Sequence, residues 1–221
     1  MKTGFIIFIA CAFLVLFSNC SKELSVENKV DSIGTIAIID TTFQPLESGS
    51  NWVYQDSATG ITDTLLAVDS TQLINSKTYT VFHSTSAGQT MDEYFNISSH
   101  NYYSYGNFGN GINDNELLYL NDTASPGYNW QASSGAVNGY PAQIQGQIVD
   151  TGLTVTIGLN TFMRVVHSQI SLEINVGSGF QTPYAIFDYY VAKAVGIIRI
   201  QSNYPSIPYY GVSNLISYSI Q

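Results

Sequence analysis

The chain has 221 residues, with seven Lys and Arg against sixteen Asp and Glu and a formal net charge of −9 at pH 7. A surface of that sign repels phosphate backbones, which excludes a nucleic-acid partner. Only 10% of the residues are charged, while Ser, Thr, Asn, Gln, Tyr and Gly are abundant, a composition that suits uncharged strand faces and reads as all-β.

In chain order, the first element is a leader. No charge occurs between Lys2 and Ser18, and the apolar run Gly4 to Phe17 would make a helix about 21 Å long, too short for roughly 30 Å of hydrocarbon. A basic start, a short apolar run and small or polar residues after it are the parts of an export signal. The stretch Phe17-Ser18-Asn19-Cys20, continued by Ser21-Lys22-Glu23, resembles the lipobox of bacterial lipoproteins, those of the Bacteroidota in particular. That resemblance implies a signal peptide over residues 1–19 and a mature chain beginning at Cys20. It also implies a diacylglyceryl thioether and an N-acyl chain such as palmitate on that cysteine, which makes the membrane a partner; two or more chains hold where one barely does. The resemblance further implies the outer membrane, with its face left open, because Ser21 follows the cysteine where an Asp would typically retain such a protein at the inner membrane. Cys11 falls in the leader, so the mature domain has no disulfide and stands on its core.

Residues 20–42 read as the lipidated cysteine and a polar tether, with one candidate edge strand over Thr35–Ile39. Residues 43–221 read as a single antiparallel β domain, large enough to bury a core without staples. Its β-branched and aromatic segments include Trp52–Ser57, Ile61–Ser70, Lys77–Ser86, Thr90–Ile97, Tyr102–Gly106 and Glu116–Leu120. Later segments alternate more cleanly. Ile144, Gly146 and Ile148 face away from Gln143, Gln145 and Gln147, and Ile170, Leu172, Ile174 and Val176 oppose Ser171, Glu173 and Asn175. Roughly eleven strands predict a meander closed into a barrel or half-barrel, the alternative being a two-sheet β-sandwich.

An internal repeat is visible. Gly49-Ser50-Asn51-Trp52 is echoed by Gly127-Tyr128-Asn129-Trp130, Thr78–Ser84 by Thr161–Ser168, and Glu93-Tyr94-Phe95 by Asp188-Tyr189-Tyr190. The second copy carries one extra residue before its His-Ser pair. Either a bulge near Met163 absorbs it or the match is fortuitous, because a one-residue slip turns every side chain to the other face. The opening Pro45-Leu46-Glu47-Ser48-Gly49-Ser50-Asn51-Trp52-Val53-Tyr54 and the closing Tyr190-Val191-Ala192-Lys193-Ala194-Val195-Gly196-Ile197 resemble uncharacterised Bacteroidota outer-membrane lipoproteins with a PLxxGxxWxY opening and a YxAxxVGxI close. No activity comes with that resemblance.

Few residues promise chemistry. No G-x-S-x-G turn marks a nucleophile, and His83, His100 and His167 lack zinc-ligand spacing, so neither a catalytic residue nor a metal or other cofactor is expected. His83 and His167, equivalent in the repeat, could face each other across the core, although ordinary strand histidines bonded to neighbours are the simpler reading. Of the strand carboxylates Asp92, Glu93, Glu173 and Asp188, the first two are adjacent and point to opposite faces. Glu173 with Asp188 remains as a glycosidase-like pair. Asn110–Glu116 clusters oxygen ligands without the calcium-loop spacing. Tyr102, Tyr103, Tyr105, Tyr189 and Tyr190 form the candidate ligand-binding set, with Tyr204, Tyr209 and Tyr210 as a further cluster; Tyr suits sugars and mixed ligands but also fills antiparallel sheets.

Seven of the ten aspartates precede Ser or Thr, where chance gives about two. Turn chemistry accounts for such pairs. They also resemble O-glycosylation acceptor sites of exported Bacteroidota proteins, which implies Ser32, Thr41, Ser57, Thr64, Ser70 and Thr123 as acceptors. The chain therefore reads as a lipid-anchored envelope protein with a binding or structural role, holding an apolar or acylated ligand in a curved sheet. A surface glycan-binding module and a glycosidase-like enzyme are the alternatives.

Overall fold

The computed structural model describes residues 42–221, apart from Pro208 and the side chains of Gln181 and Thr182. The leader, Cys20, the tether, the segment Thr35–Ile39, Ser32 and Thr41 lie outside the described residues.

Twelve strands follow one another: β1 (Asn51–Asp56), β2 (Thr62–Ile74), β3 (Lys77–Ser86), β4 (Gln89–Ser98), β5 (Asn101–Gly106), β6 (Asn115–Asn121), β7 (Asn129–Val137), β8 (Tyr140–Ile157), β9 (Asn160–Asn175), β10 (Phe180–Ala192), β11 (Gly196–Tyr204) and β12 (Tyr209–Ser219). No helix occurs among the described residues. They form one antiparallel sheet, in the order β6-β5-β4-β3-β2-β1-β12-β11-β10-β9-β8-β7, which curls into a nearly closed barrel. The two-sheet sandwich is thereby replaced by a single continuous sheet, and β7 is a strand that the irregular run Gln131–Val137 does not announce.

Alternation sets the interior. Ala142, Ile144 and Ile148 of β8 and Ile170 and Leu172 of β9 are buried, as the period-two pattern predicts. Val176 departs from it: it lies past the end of β9 and is 59% exposed. The ladder does not run through the barrel's edges. Where β6 meets β7 and β9, side chains complete the closure: Trp130 Nε1 donates to the Leu118 carbonyl (3.1 Å), Ser134 Oγ to the Glu116 carbonyl (2.9 Å), Asn115 Nδ2 to the Ser134 carbonyl and Ser168 Oγ to the Tyr119 carbonyl (2.5 Å). These donors satisfy edge carbonyls that a buried seam would otherwise leave orphaned.

The repeated motifs fall six strands apart. Trp52 is in β1 and Trp130 in β7, the His83 segment in β3 and the His167 segment in β9, Glu93-Tyr94-Phe95 in β4 and Asp188-Tyr189-Tyr190 in β10. The extra residue in the second copy is absorbed by an irregularity: the β8–β9 register jumps between Leu153↔Val165 and Val155↔Phe162, and Arg164, next to Met163, adopts φ +55°.

Because neighbouring strands alternate in direction, the β2–β3, β4–β5, β6–β7, β8–β9 and β10–β11 connections share one end of the barrel with residues 42–50. We refer to this as the entry end. Thr42 is tied there by the Ala194 N–H to its carbonyl (2.8 Å), and Phe43, whose N–H donates to the Tyr102 hydroxyl (3.1 Å), inserts its ring against Tyr102. From this plug a run of rings ascends the interior: Trp52 on Phe82 (5.7 Å between centroids), Phe82 on Phe95 (4.7 Å), and Tyr119 on Tyr189 (5.3 Å). Trp52, Phe82, Tyr102 and Tyr119 are essentially inaccessible, and the Trp52 indole N–H donates to the Val195 carbonyl (2.6 Å).

Gly146 is the position most sensitive to size. A methyl group there would sit 2.0–2.4 Å from the rigid Trp130 indole, so the ring that donates across the seam would have to move. Gly146→Ala is expected to lower stability by about 1–3 kcal/mol, despite the better strand propensity of Ala, and urea denaturation of the two proteins checks it.

Candidate ligand pocket in the barrel

The strand period separates the residues singled out in the sequence. Tyr102 and Tyr189 point inward and are buried, whereas Tyr103, Tyr105 and Tyr190 point outward and remain partly exposed. They therefore form no single binding surface. On the outside of β3–β6, Tyr105 packs against Tyr79 and Tyr94, and the Lys77 ammonium sits 3.8 Å from the Tyr103 centroid. Glu116 completes that cluster by accepting from Lys77 (2.6 Å) and from the Tyr79 hydroxyl. Tyr190 stacks on His167 at 4.3 Å, and Tyr204 donates to the Phe108 carbonyl (2.9 Å) while its ring meets Tyr209; Tyr210 is exposed.

The histidines do not face one another across the core. His83 Nδ1 donates to Asp92 (2.9 Å), His167 Nε2 to Asp188 (2.8 Å) and His100 Nδ1 to Asp122 (2.8 Å). Each pair links a histidine to an aspartate on an adjacent strand or connection.

Register also dissolves the glycosidase-like pair. Glu173 lies opposite Gln143 and accepts from Gln143 and Gln145, whereas Asp188 lies opposite Gln169 and accepts from Gln169 and His167. Four residues of β9 separate the two levels, roughly 13 Å at the strand rise, beyond the ~5–9.5 Å that the chemistry needs. In the run Asn110–Glu116, Ile112 of the loop before β6 is fully buried, and at the start of β6 Asn115 is buried at the seam and Glu116 is engaged by Lys77. Among the described residues no three His, Cys, Asp or Glu side chains converge for a metal.

Among the acceptor candidates, Ser57, Thr64, Ser70 and Thr123 are exposed. Of the paired aspartates, Asp56 accepts from the Ala58 and Thr59 N–H groups and the Thr59 hydroxyl, which is turn chemistry. Asp63 is different, because it points into the barrel.

At the end away from residues 42–50 the aromatic filling stops and leaves a cavity of ≈ 290 Å³. Its apolar wall is Phe95, Phe108, Phe187, Tyr189, Ile197 and Ile200, and its polar groups are Asp63, Glu93, Ser104, Asn107, Ser202 and Ser213. A lobe of ≈ 140 Å³ continues it past Tyr54, Leu65 and Ser84. The size is at the lower edge of small-molecule sites, and apolar walls with a few convergent polar groups are their usual makeup. The loop between β5 and β6 bounds the opening on one side, held by Tyr204 on the Phe108 carbonyl and Tyr184 on the Asn110 carbonyl (2.6 Å).

The pocket's electrostatics are unbalanced. Burial pushes the Glu93 carboxyl above the usual carboxylate range; a hydrogen bond from Ser84 draws it partly back, and the charge of Asp63 raises it further. Burial likewise pushes the Tyr54 and Tyr189 phenols far above their usual value, so both are neutral donors. The Tyr54 hydroxyl is committed to the Ile197 carbonyl (2.8 Å). Asp63 Oδ1 is closed off from solvent and accepts no hydrogen bond, and the Ser104 hydroxyl, 6% exposed as a residue, lies against Tyr189 without a bond of normal geometry. Among the described residues no Lys, Arg or His lines either lobe.

Asp63 and Glu93 are thirty residues apart in sequence. In sequence Glu93 stands beside Asp92, which lies on the outer face, and far from Asp63. The signal that could have joined Glu93 to Asp63 was the alternation Asp63-x-Leu65-x-Ala67 beside Glu93-x-Phe95-x-Ile97, which puts each carboxylate on an apolar face.

No family model and no curated protein matches the sequence. Among solved structures, the barrel is similar to a "putative lipoprotein" of Parabacteroides distasonis, with a TM-score of 0.55 and 13% identity over 81% of this chain and 99% of that one. A looser likeness, with a TM-score of 0.49 and 15% identity over 81% and 99% of the two chains, links it to a Bacteroides fragilis exported protein described as having a YmcC-like fold. The first likeness shows a shared fold.

A raised carboxylate has a fixed consequence for stability. The folded protein holds the Glu93 proton more tightly than the unfolded chain, so stability falls as pH rises from the ordinary carboxylate range through the raised value. Above that window the charge is a standing penalty, and below it the penalty is absent. Glu93→Gln is therefore expected to melt higher than the unmodified protein at pH 7.5, with the difference closing near pH 4, as thermal melts at the two pH values will show.

Proposed function

We propose that the protein is a lipid-anchored protein of the outer membrane, composed of a signal peptide over residues 1–19, a tether over 20–42 and the barrel, and that the barrel is a cup for a small ligand. The observation that carries the binding role is the placement of the pocket. It lies at the end opposite residues 42–44, where the chain coming from Cys20 joins the barrel, so the joining segment does not obstruct its opening. Extended, the tether reaches roughly 75 Å, enough to hold the cup clear of the bilayer surface. The lipobox resemblance supports the anchor, and the Parabacteroides protein of similar fold is itself described as a "putative lipoprotein".

The lining narrows the ligand. An apolar wall suits an apolar body, but two interior carboxylates disfavour a fatty acid or another anion. The outer tyrosines are poorer candidates for sugar stacking, since Lys77 occupies one face of Tyr103 and His167 one face of Tyr190. With Glu173 and Asp188 apart and each satisfied by amide donors, a binding role is favoured over hydrolysis.

The anchor is tested on protein purified from its native host. The intact mass is expected to correspond to a chain starting at Cys20 with its acyl groups, and Cys20→Ser is expected to move the protein from the membrane to the soluble fraction. An unmodified chain that starts at Met1 would refute the anchor. The same spectrum reads any sugar on the exposed Ser57, Thr64, Ser70 and Thr123, each hexose or deoxyhexose adding its own increment.

A further inference from the structure

We infer that the pocket is built for a compact organic cation, an ammonium group carried on an apolar body; this rests on the reading of the barrel as a ligand cup and names the class of ligand. The first observation is a contrast among the protein's own carboxylates. Among the described residues every other buried or half-buried one has a cationic, phenolic or amide donor, side-chain or backbone: Glu116 has Lys77 and Tyr79, Asp122 has His100 and Tyr102, Asp188 has His167 and Gln169, Glu173 has Gln143 and Gln145, and Asp56 has the Ala58 and Thr59 N–H groups. Asp63 and Glu93 share the interior with no basic or amide donor bonded to either, and Asp63 Oδ1 accepts nothing at all. A buried carboxylate oxygen without a donor is unfavourable by more than an ordinary hydrogen bond contributes, and a ligand carrying the missing N–H donors would relieve it.

The second observation is what surrounds the pair. Phe95, Phe108, Phe187 and Tyr189 present rings to the same cavity, and ring faces attract cations once water is removed. Their edges and the Ile197 and Ile200 side chains accommodate an apolar body. The Ser104 hydroxyl, closed off from solvent and without a well-formed bond, supplies a further oxygen acceptor for an ammonium proton. An anion finds no positively charged partner among the described lining residues, and a strongly hydrated metal ion meets aromatic and aliphatic side chains over much of the wall, where a calcium site takes oxygens all round.

The test uses the full-length mature lipoprotein in a non-ionic detergent at pH 7.5, titrated calorimetrically with three probes of one shape and different charge: 2-phenylethylamine, 2-phenylethanol and 3-phenylpropionate. The amine is expected to bind at least tenfold more tightly than the alcohol, and the carboxylate not to bind. Asp63→Asn and Glu93→Gln are each expected to weaken the amine tenfold or more, while Asp188→Asn on the outer face leaves it unchanged. Equal binding of amine and alcohol, unaffected by the two substitutions, would overturn the cation and leave a cup for neutral ligands. Binding of calcium chloride in place of the amine would overturn it in favour of a metal site. No binding by any probe, with the pocket empty in soaked crystals, would remove both the cation and the ligand cup.

Discussion

The width of a twelve-stranded barrel is the constraint on which the remaining features depend. About eight strands enclose a lumen that side chains of ordinary size can fill, and sixteen or more leave a channel. Twelve lie between, so aliphatic side chains alone would leave a void along the axis, and voids are destabilising in proportion to their size. The chain meets this with rings. Phe43, Trp52, Phe82, Phe95, Tyr102, Tyr119 and Tyr189 pack in succession from the entry end, and the polar tips of Trp52 and Tyr102 are bonded to Val195 and Asp122. Where that stack ends, the same width becomes a pocket.

Closure at this width also explains the seam. β6 and β7 are the ends of the sheet order and carry no ladder between them, yet they meet side by side. Side-chain donors from Trp130, Ser134, Asn115 and Ser168 take the place of the missing backbone bonds. Two six-stranded halves, joined by the β1–β12 ladder on one side and by this seam on the other, account for motifs that recur six strands apart. The pocket is lined by both halves, Asp63 and Glu93 from the first and Tyr189, Ile197 and Ser213 from the second. The buried Glu93 carboxylate opposes stability at neutral pH, an arrangement more readily understood as serving a ligand than as serving the fold.

Much of the architecture was legible because β structure writes itself in a period of two. The inward set Ile144, Gly146 and Ile148 followed from alternation, and one surplus residue left a bulge near Met163 or a fortuitous match as the two readings, of which the register jump beside Arg164 is the first. The tyrosine set was misread for the same physical reason: Tyr102 and Tyr103, or Tyr189 and Tyr190, are adjacent in sequence and so necessarily occupy opposite faces. Pairing across the barrel was not legible. Whether His83 meets His167, or Glu93 meets Asp63, depends on strand order and register, which no local pattern encodes. β7 escaped notice because its run Gln131–Val137 is interrupted by a register shift at Ser133/Gly135, with Gly135 at φ +86°.

The lumen is sealed by rings over one half and open over the other, and two positions on one face of β12 separate these halves. Ser213 lines the pocket, while Leu215, two residues toward the entry end, is fully buried. With Cys11 and Cys20 replaced by serine, single Ser213→Cys and Leu215→Cys proteins can be exposed to a small water-soluble thiol reagent under native conditions. The account expects rapid labelling at position 213 and labelling at 215 only on unfolding. Equal protection of both, or equal reactivity of both, would contradict it.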